Sequence, residues 1–487
     1  MPGSPVRKRQ RPQHAPGGGT VSNREPLPPH EVVERALARS TTSACIVIAE
    51  AVSSVNLRWA GNSLISNGDT RARTATVIAL DHRADGIAAG TVTRAVADTG
   101  QLARLVEDAE AVARHQRPVE DALPLVASRS AVPGFTDPPV ETDISVFTGL
   151  APALRETFAE ATAADRTLYG YAEHTVATTY VGSSSGLRAR HDGPVGKLEL
   201  TVKTGDGERS AWGGAGTTDF TDVDVEALAG QLAQRLAWGK RRVNLPPGRY
   251  ETVLPPSAVA DLMLHLYSWA SSAEAIEGNN AFSRPGADGG TRIGERLSAL
   301  PLDLYSDPSM PGLQCTPFVT AHTSGLDVSV FDNGHPLDRT DWIRDGVLTA
   351  LPMSRHGAST TGRNPTPRID NLILSRRGAT SSMNDLISAT DYGLLLTSLW
   401  YVRDLDPQTL LLTGLTRDGV YLIDSGEVVG EVGNFRFNDS PLDLLSRITE
   451  AGVTTAALPR ERSSAARTAM PAVRASNFNM STASRAR

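Results

Sequence analysis

Apolar and β-branched positions recur at short range in ACIVIAEAV, VNLRWA and RTATVIAL, the period-2 mark of strands. Asn67-Gly68 and Asp85-Gly86 lie among these runs and predict tight hairpin turns. A short helix is expected ahead of them, near Glu31–Ala38. TGQLARLVEDAEAVARHQ follows a different rhythm: Leu102, Leu105, Val106, Ala109 and Val112 repeat at helical spacing and form one apolar stripe. A proline-rich stretch from Pro118 to Pro139 interrupts the pattern. Beyond it the spacing predicts a helix over Leu150–Arg166, then strands in HTVATTYV, GLRARH and GKLELTVKT. A helix in VDVEALAGQLAQRLAW closes this half.

KRRVNLPPGRY, Lys240 to Tyr250, reads as a linker, because basic residues and two adjacent prolines separate two differently patterned regions. After it, PPSAVADLMLHLYSWASSAEAIEG predicts one helix, capped by Ser257 and stopped by Gly278. Val259, Leu262, Met263, Leu266, Ala270, Ala273 and Ile276 would be its buried stripe. LDVSVFDNGHPL, DWIRDGVLTALPM and GVYLIDSGEVVGEV each set apolar residues around an Asp-, Asn- or Ser-Gly pair, the hairpin signature. MPAVRASNFNMSTAS alternates again, so the C-terminal segment should return as a strand. The expected class is α+β: an N-terminal α/β domain of mixed strands and helices over 29–240, then a β-rich C-terminal domain over 241–487.

Composition narrows the function classes. The 487 residues are 40% hydrophobic and 21% charged, with 43 glycines, 31 prolines and a net charge of −6. That balance disfavours direct binding to nucleic acid or to an anionic membrane surface, which needs a basic face. The first 28 residues are basic and rich in Pro and Gly, and are expected to be a disordered tail without the apolar run of a secretory signal. No run approaches the roughly 18 apolar residues of a membrane-spanning helix. Two cysteines far apart, Cys45 and Cys315, form no CxxC pair and fit a reducing cytoplasm.

Metal-ligand spacing is missing. None of the ten histidines makes an HExxH or HxxxH pair, and His265, four residues after Asp261, reads as a surface histidine. Asp222 and Asp224 read as a helix N-terminal charge cluster, since the rest of a calcium loop is absent. GSSSG, Gly182 to Gly186, has the letters of a nucleophile elbow, but it lies between two strands and reads as a hairpin turn. Glu274 and Glu277 sit one turn apart near a helix end. Such a pair can hold a metal, move a proton or simply be solvated. The polar stretch Ser354–Arg368, with Arg355 and His356 among glycines, fits a functional loop and a surface connection equally.

Taken in order, the Glu277-Gly278 helix end, VFDNGHP, WIRDGVL, DLISATDYGLLLTSLWY, GVYLIDSGEVV, NFRFNDSP and MPAVRASNFNMS resemble the TldD/PmbA family, peptidases once described as modulators of DNA gyrase. The resemblance runs from about Glu31 onward and is strongest over Ser257–Ser481. In the TldD branch this helix carries HExxxH, with a cysteine near the C-terminus completing a zinc site. Aligning Glu277-Gly278 puts Trp269 and Glu274 on the histidine positions and Ala270 on the glutamate, and the C-terminal segment has no cysteine. The chain is therefore similar to the TldE/PmbA branch.

The resemblance implies no catalytic residue, metal or cofactor on this chain, with zinc on a TldD-type metallopeptidase partner. The two subunits would form a cytoplasmic heterodimer that encloses and cleaves unfolded peptides. Glu274, Glu277, Arg355 and His356 are the candidates to face that cavity, and Trp269 is expected to pack. The alternatives are a stand-alone peptide-binding or gyrase-associated interaction protein without protease activity, and a peptidase built on Glu274.

Overall fold

A computed structural model describes residues 27–127, 133–286 and 290–484, and it is an α+β fold with two sheets. The expected tail lies outside the described residues apart from Leu27 and Pro28. Helix α1 (Pro29–Arg39) leads into two long strands, β1 (Ala44–Ala60) and β2 (Ser63–Arg83), followed by β3 (Gly86–Ala95) and α2 (Thr99–His115). Next come α3 (Leu150–Ala163), β4 (Arg166–Ser183), β5 (Arg188–Thr204), β6 (Ser210–Thr217) and α4 (Val225–Trp238). The six strands form one antiparallel sheet in the order β3-β2-β1-β4-β5-β6.

ACIVIAEAV and VNLRWA are one strand. The hairpin expected at Asn67-Gly68 is not there, since both residues pair inside β2 with Leu57 and Asn56. The turn is instead Gly61-Asn62, with φ of 62° and 58°, the left-handed pair a two-residue hairpin requires. The turn before Gly86 is where expected. One face of the sheet carries α1 and α2, whose Val33, Leu105 and Ala109 pack on Val47, Val77 and Ala79. That approach needs Gly90, because a Cβ there would lie 2.2 Å from the Ala109 oxygen.

The linker stretch contributes β7 (Arg242–Val243) and runs into β8 (Gly248–Leu254) of the second sheet. Helices α5 (Pro256–Trp269) and α6 (Ser272–Glu277) follow, then β9 (Leu302–Ser306), β10 (Thr340–Arg344) and β11 (Val347–Leu348). After α7 (Arg355–Thr361) come β12 (Leu372–Arg376), α8 (Met383–Ser388), β13 (Tyr392–Leu396), β14 (Leu399–Asp406) and β15 (Leu411–Thr416). The chain ends with β16 (Val420–Asp424), β17 (Glu427–Val432), β18 (Phe435–Asp439), α9 (Pro441–Arg447), β19 (Ile448–Ala457) and β20 (Thr468–Ala483).

Three expectations need correction. The single helix over Pro256–Gly278 is two, with Ala270 and Ser271 extended between them, and α5 is capped by backbone from Pro255 rather than by Ser257. LDVSVFDNGHPL is no hairpin: Ser329 caps a 3-10 turn over Val330–Asp332, which buries Asp332 and Asn333. The polar loop Ser354–Arg368 contains α7, capped by Ser354 and ended by Gly362 at φ 68°. The hairpins at Asp345-Gly346 and Ser425-Gly426 are present.

β20 is the hub of the second sheet. It pairs with β8, β12, β18 and β19, and α5 packs over it through Val259, Met263 and Leu266. Phe478 is fully buried on this strand, its ring 5.7 Å from that of Phe437. Phe478→Ala removes an aromatic ring from a closed core and is expected to cost about 3–5 kcal/mol, read as a lowered urea midpoint.

Candidate functional site

Helix α5 is where the sequence reading placed its chemistry, and its outward face is not exposed. Asp261, His265 and Trp269 repeat at i, i+4 and i+8, so they share one stripe. The connection between β19 and β20 lies across it. The Asp261 carboxylate, 1% exposed, accepts the backbone N–H groups of Arg460 at 3.1 Å and Glu461 at 3.0 Å. Burial pushes this carboxyl up to about 7, against the pull of those N–H groups.

His265 is buried, which corrects its reading as a surface residue. Its Nδ1 lies 3.3 Å from Arg462 Nη2 and 3.8 Å from Asp404 Oδ1. Burial, and then the Arg462 charge, hold its pKa down at about 4. The ring is therefore neutral at pH 7, and with Nδ1 accepting from Arg462 its proton sits on Nε2. Trp269 packs on the core edge and donates Nε1–H to Asp404 Oδ1 at 2.9 Å. Glu461 accepts the Val402 N–H at 3.0 Å, which ties the same connection to β14.

The break between α5 and α6 is a satisfied structure. The last carbonyls of a helix have no partner within it. Here Tyr267 O accepts Arg368 Nη1 at 2.6 Å, and Ala270 O accepts Arg368 Nη2. A cation at a helix C-terminus also suits the helix dipole. Asn280 Nδ2 donates to Ser271 O at 3.0 Å, and Ser271 Oγ then starts α6 by accepting the Glu274 N–H at 3.2 Å. Asp327 takes Ser272 Oγ at 3.3 Å and lies 4.0 Å from Arg368.

Within this frame Glu274 is half-buried in the first turn of α6. Glu277 is exposed at its end and accepts Asn279 Nδ2 at 3.0 Å. Arg355 Nη1 donates to Phe331 O at 3.0 Å and Pro124 O at 3.2 Å, tying α7 to the segment after α2. His356 is half-buried at the start of α7. None of the four lines the cleft of about 1280 Å³ that opens between the two sheets.

That cleft was not anticipated. The first sheet contributes Tyr169 and Lys203, and the second contributes Arg242, Arg417, Glu431 and Arg460. Burial pushes the Glu431 carboxyl up, and its Oε2 has no hydrogen-bond partner among the described residues. Arg460 sits over the Trp212 and Trp400 rings at 5.2 and 5.0 Å and pairs with Asp418, which also accepts Ser210 Oγ. The charged triplet Arg460-Glu461-Arg462 between two strands was a visible signal for this region. Only the fold brings it onto Asp261 and His265.

Residues 134–239 match the PmbA/TldA metallopeptidase central domain, and residues 247–482 match the PmbA/TldA metallopeptidase C-terminal domain. No curated protein matches the chain. The fold is shared with TldE from Thermococcus kodakarensis at 15% identity and a TM-score of 0.73, over 92% of this chain and 98% of that one. It is shared also with a protein from Thermotoga maritima described as a candidate modulator of DNA gyrase, at 17% identity and a TM-score of 0.70, over 92% and 99%. A third, similarly described, from Bacteroides thetaiotaomicron matches at 14% and 0.70, over 93% and 97%. Two-sheet architecture and domain matches together define a metallopeptidase-related protein. The chain belongs to the TldD/PmbA family.

Zinc in a peptidase site takes three protein ligands and a water. At the two histidine positions of the resemblance stand Trp269 and Glu274, with Ala270 at the glutamate, so that one carboxylate is offered, and the indole N–H of Trp269 is spent on Asp404. Among the described residues no group of three His, Cys, Asp or Glu side chains could hold a metal ion. These residues do not fit the metal.

The buried neutral His265 makes stability depend on pH. Between pH 6.5 and about 4 the unfolded chain binds a proton that the folded ring does not, so the ring's contribution to stability falls as pH falls through that window and is level above it. The loss at the acid end is expected to be about 2–3 kcal/mol. In thermal melts from pH 7.5 to 4.5, His265→Gln should gain stability relative to the unsubstituted chain as pH falls. Asp261 titrates in both proteins and cancels in the comparison.

Proposed function

We propose that this chain is the metal-free, TldE/PmbA-type subunit of a two-chain metallopeptidase, inactive alone and paired with a zinc-bearing TldD-type subunit. The complex acts on unfolded peptides in the cytoplasm. The observation that carries the reading is the donor set at the helix break: Trp269 and Glu274 stand at the ligand positions, and Arg368, Asn280 and Asp404 are engaged in holding that helix end. Among the described residues no helix is long and apolar enough to cross a membrane.

This chain's own residues would form one wall of the peptide enclosure. An extended peptide can be gripped through backbone hydrogen bonds at strand edges, which tolerates many sequences and rejects folded proteins. Zinc, when bound on the partner, supplies a Lewis acid and an activated water. The gyrase-associated alternative has its support in the names of two fold neighbours. It would operate without any peptidase partner.

The test is zinc content and peptide cleavage for this chain alone and for the chain copurified with a TldD-type protein from the same cell. The chain alone should be zinc-free and inert, and the pair should carry zinc and cleave unfolded peptide in a chelator-sensitive way. Stoichiometric zinc with cleavage by the single chain would overturn the reading. Gyrase binding without any such partner would favour the alternative.

A further inference from the structure

β2 pairs with β1 from Ser63 to Leu80, but β3 covers its other edge only from Thr74 to Arg83. Among the described residues, no strand pairs with that edge over residues 63–72. Nearly all of this stretch is exposed, including Leu64 at 52% and Ile65 at 55%. An open edge presents unpaired backbone N–H and C=O groups and is a template for another strand.

We infer that this edge pairs antiparallel with the same edge of a second copy of this chain, about a two-fold axis at Thr70. The register follows from charge. A two-fold at Thr70 sets Asp69 opposite Arg71 in both directions and Gly68 opposite Ala72. Moving the axis one residue either way sets Asp69 against Asp69 or Arg71 against Arg71, and like charges directly opposed are unfavourable. A two-fold contact is the ordinary closed form for identical chains.

The ends of the exposed stretch fit this register. At one end β3 stops at Ala95, opposite Thr74. At the other, the β1–β2 register shifts by one residue at Ile65, a bulge that bends the hairpin tip out of the ladder. The ladder then runs over residues 68–72 of each copy. Past it, the exposed Leu64 and Ile65 of one copy meet the end of the other's β3. There Arg73, Ala95, Val96 and Ala97 help line a hollow of about 420 Å³. Within one chain Arg71 lies 3.2 Å from Asp69 and 3.1 Å from Glu141, both exposed pairs of little worth, so they do not oppose the exchange.

A charge swap tests this in the full chain alone, and it does not depend on the metallopeptidase reading. Sedimentation equilibrium should give a mass of twice 51.7 kDa at tens of micromolar protein. Asp69→Arg and Arg71→Asp should each weaken self-association by about tenfold or more, because the two-fold doubles each like-charge contact. The double variant D69R/R71D restores opposite charges and should return the association of the unsubstituted chain. Melting temperatures, expected to stay level, separate lost pairing from lost folding. A single-chain mass for the unsubstituted protein overturns the inference, as does a dimer indifferent to both single changes. So does a folded double variant that fails to recover, or an edge that pairs only with a TldD-type subunit.

Discussion

The guanidinium of Arg460 is the contact on which the arrangement of the two halves depends. It lies against Trp212 of the first sheet and Trp400 of the second, and it is paired with Asp418, which also receives Ser210 from β6. Its backbone N–H goes to Asp261 on α5. One residue thus joins both sheets and the helix. A buried ion pair of this kind adds little net stability over an apolar packing of the same shape. Removing one partner leaves a charge out of water, which is costly. Its value is therefore in orientation: halves slid past each other would take Ser210 from Asp418 and Trp212 from Arg460.

The rest of the junction is consistent with that constraint. Phe318, Val330 and Phe331 of the second half pack on Ile46, Ile78 and Leu80, the face of the first sheet away from α1 and α2. Arg355 reinforces the contact by holding the carbonyls of Pro124 and Phe331. One side chain thus joins segments far apart in the chain.

Local chemistry was legible where it acts locally. The stripe of α2, the final strand and the turn at Ser425-Gly426 are present because spacing and turn residues settle them without help from distant parts. Asp224 caps α4 as its position suggested. The misreadings have one cause. Asn67-Gly68 has turn chemistry, yet the pairing of β1 with β2 carries both residues through a straight ladder, and Gly61-Asn62 takes the turn. The apolar stripe from Val259 to Ile276 looks continuous, yet Arg368 and Asn280 satisfy a broken helix better than an unbroken one, leaving Ile276 exposed. His265 looked solvated because nothing within its helix shows that the β19–β20 connection crosses it.

That broken helix bears on the functional reading in one further way. In a continuous helix, Ala270 and Glu274 would lie one turn apart on the same face. Here Ala270 is extended and Glu274 belongs to the first turn of a separate helix, its N–H held by Ser271. Glu274 therefore takes its orientation from α6, whereas Trp269 takes its own from α5 and Asp404. Two positions governed by different elements can be adjusted independently. A histidine placed at 269 alone would lose the indole donor to Asp404 and still lack the companions a metal requires. The site is accordingly built around hydrogen-bonded closure of a helix end, and the titratable groups it keeps, Asp261 and His265, are sealed beneath the same connection that carries Arg460.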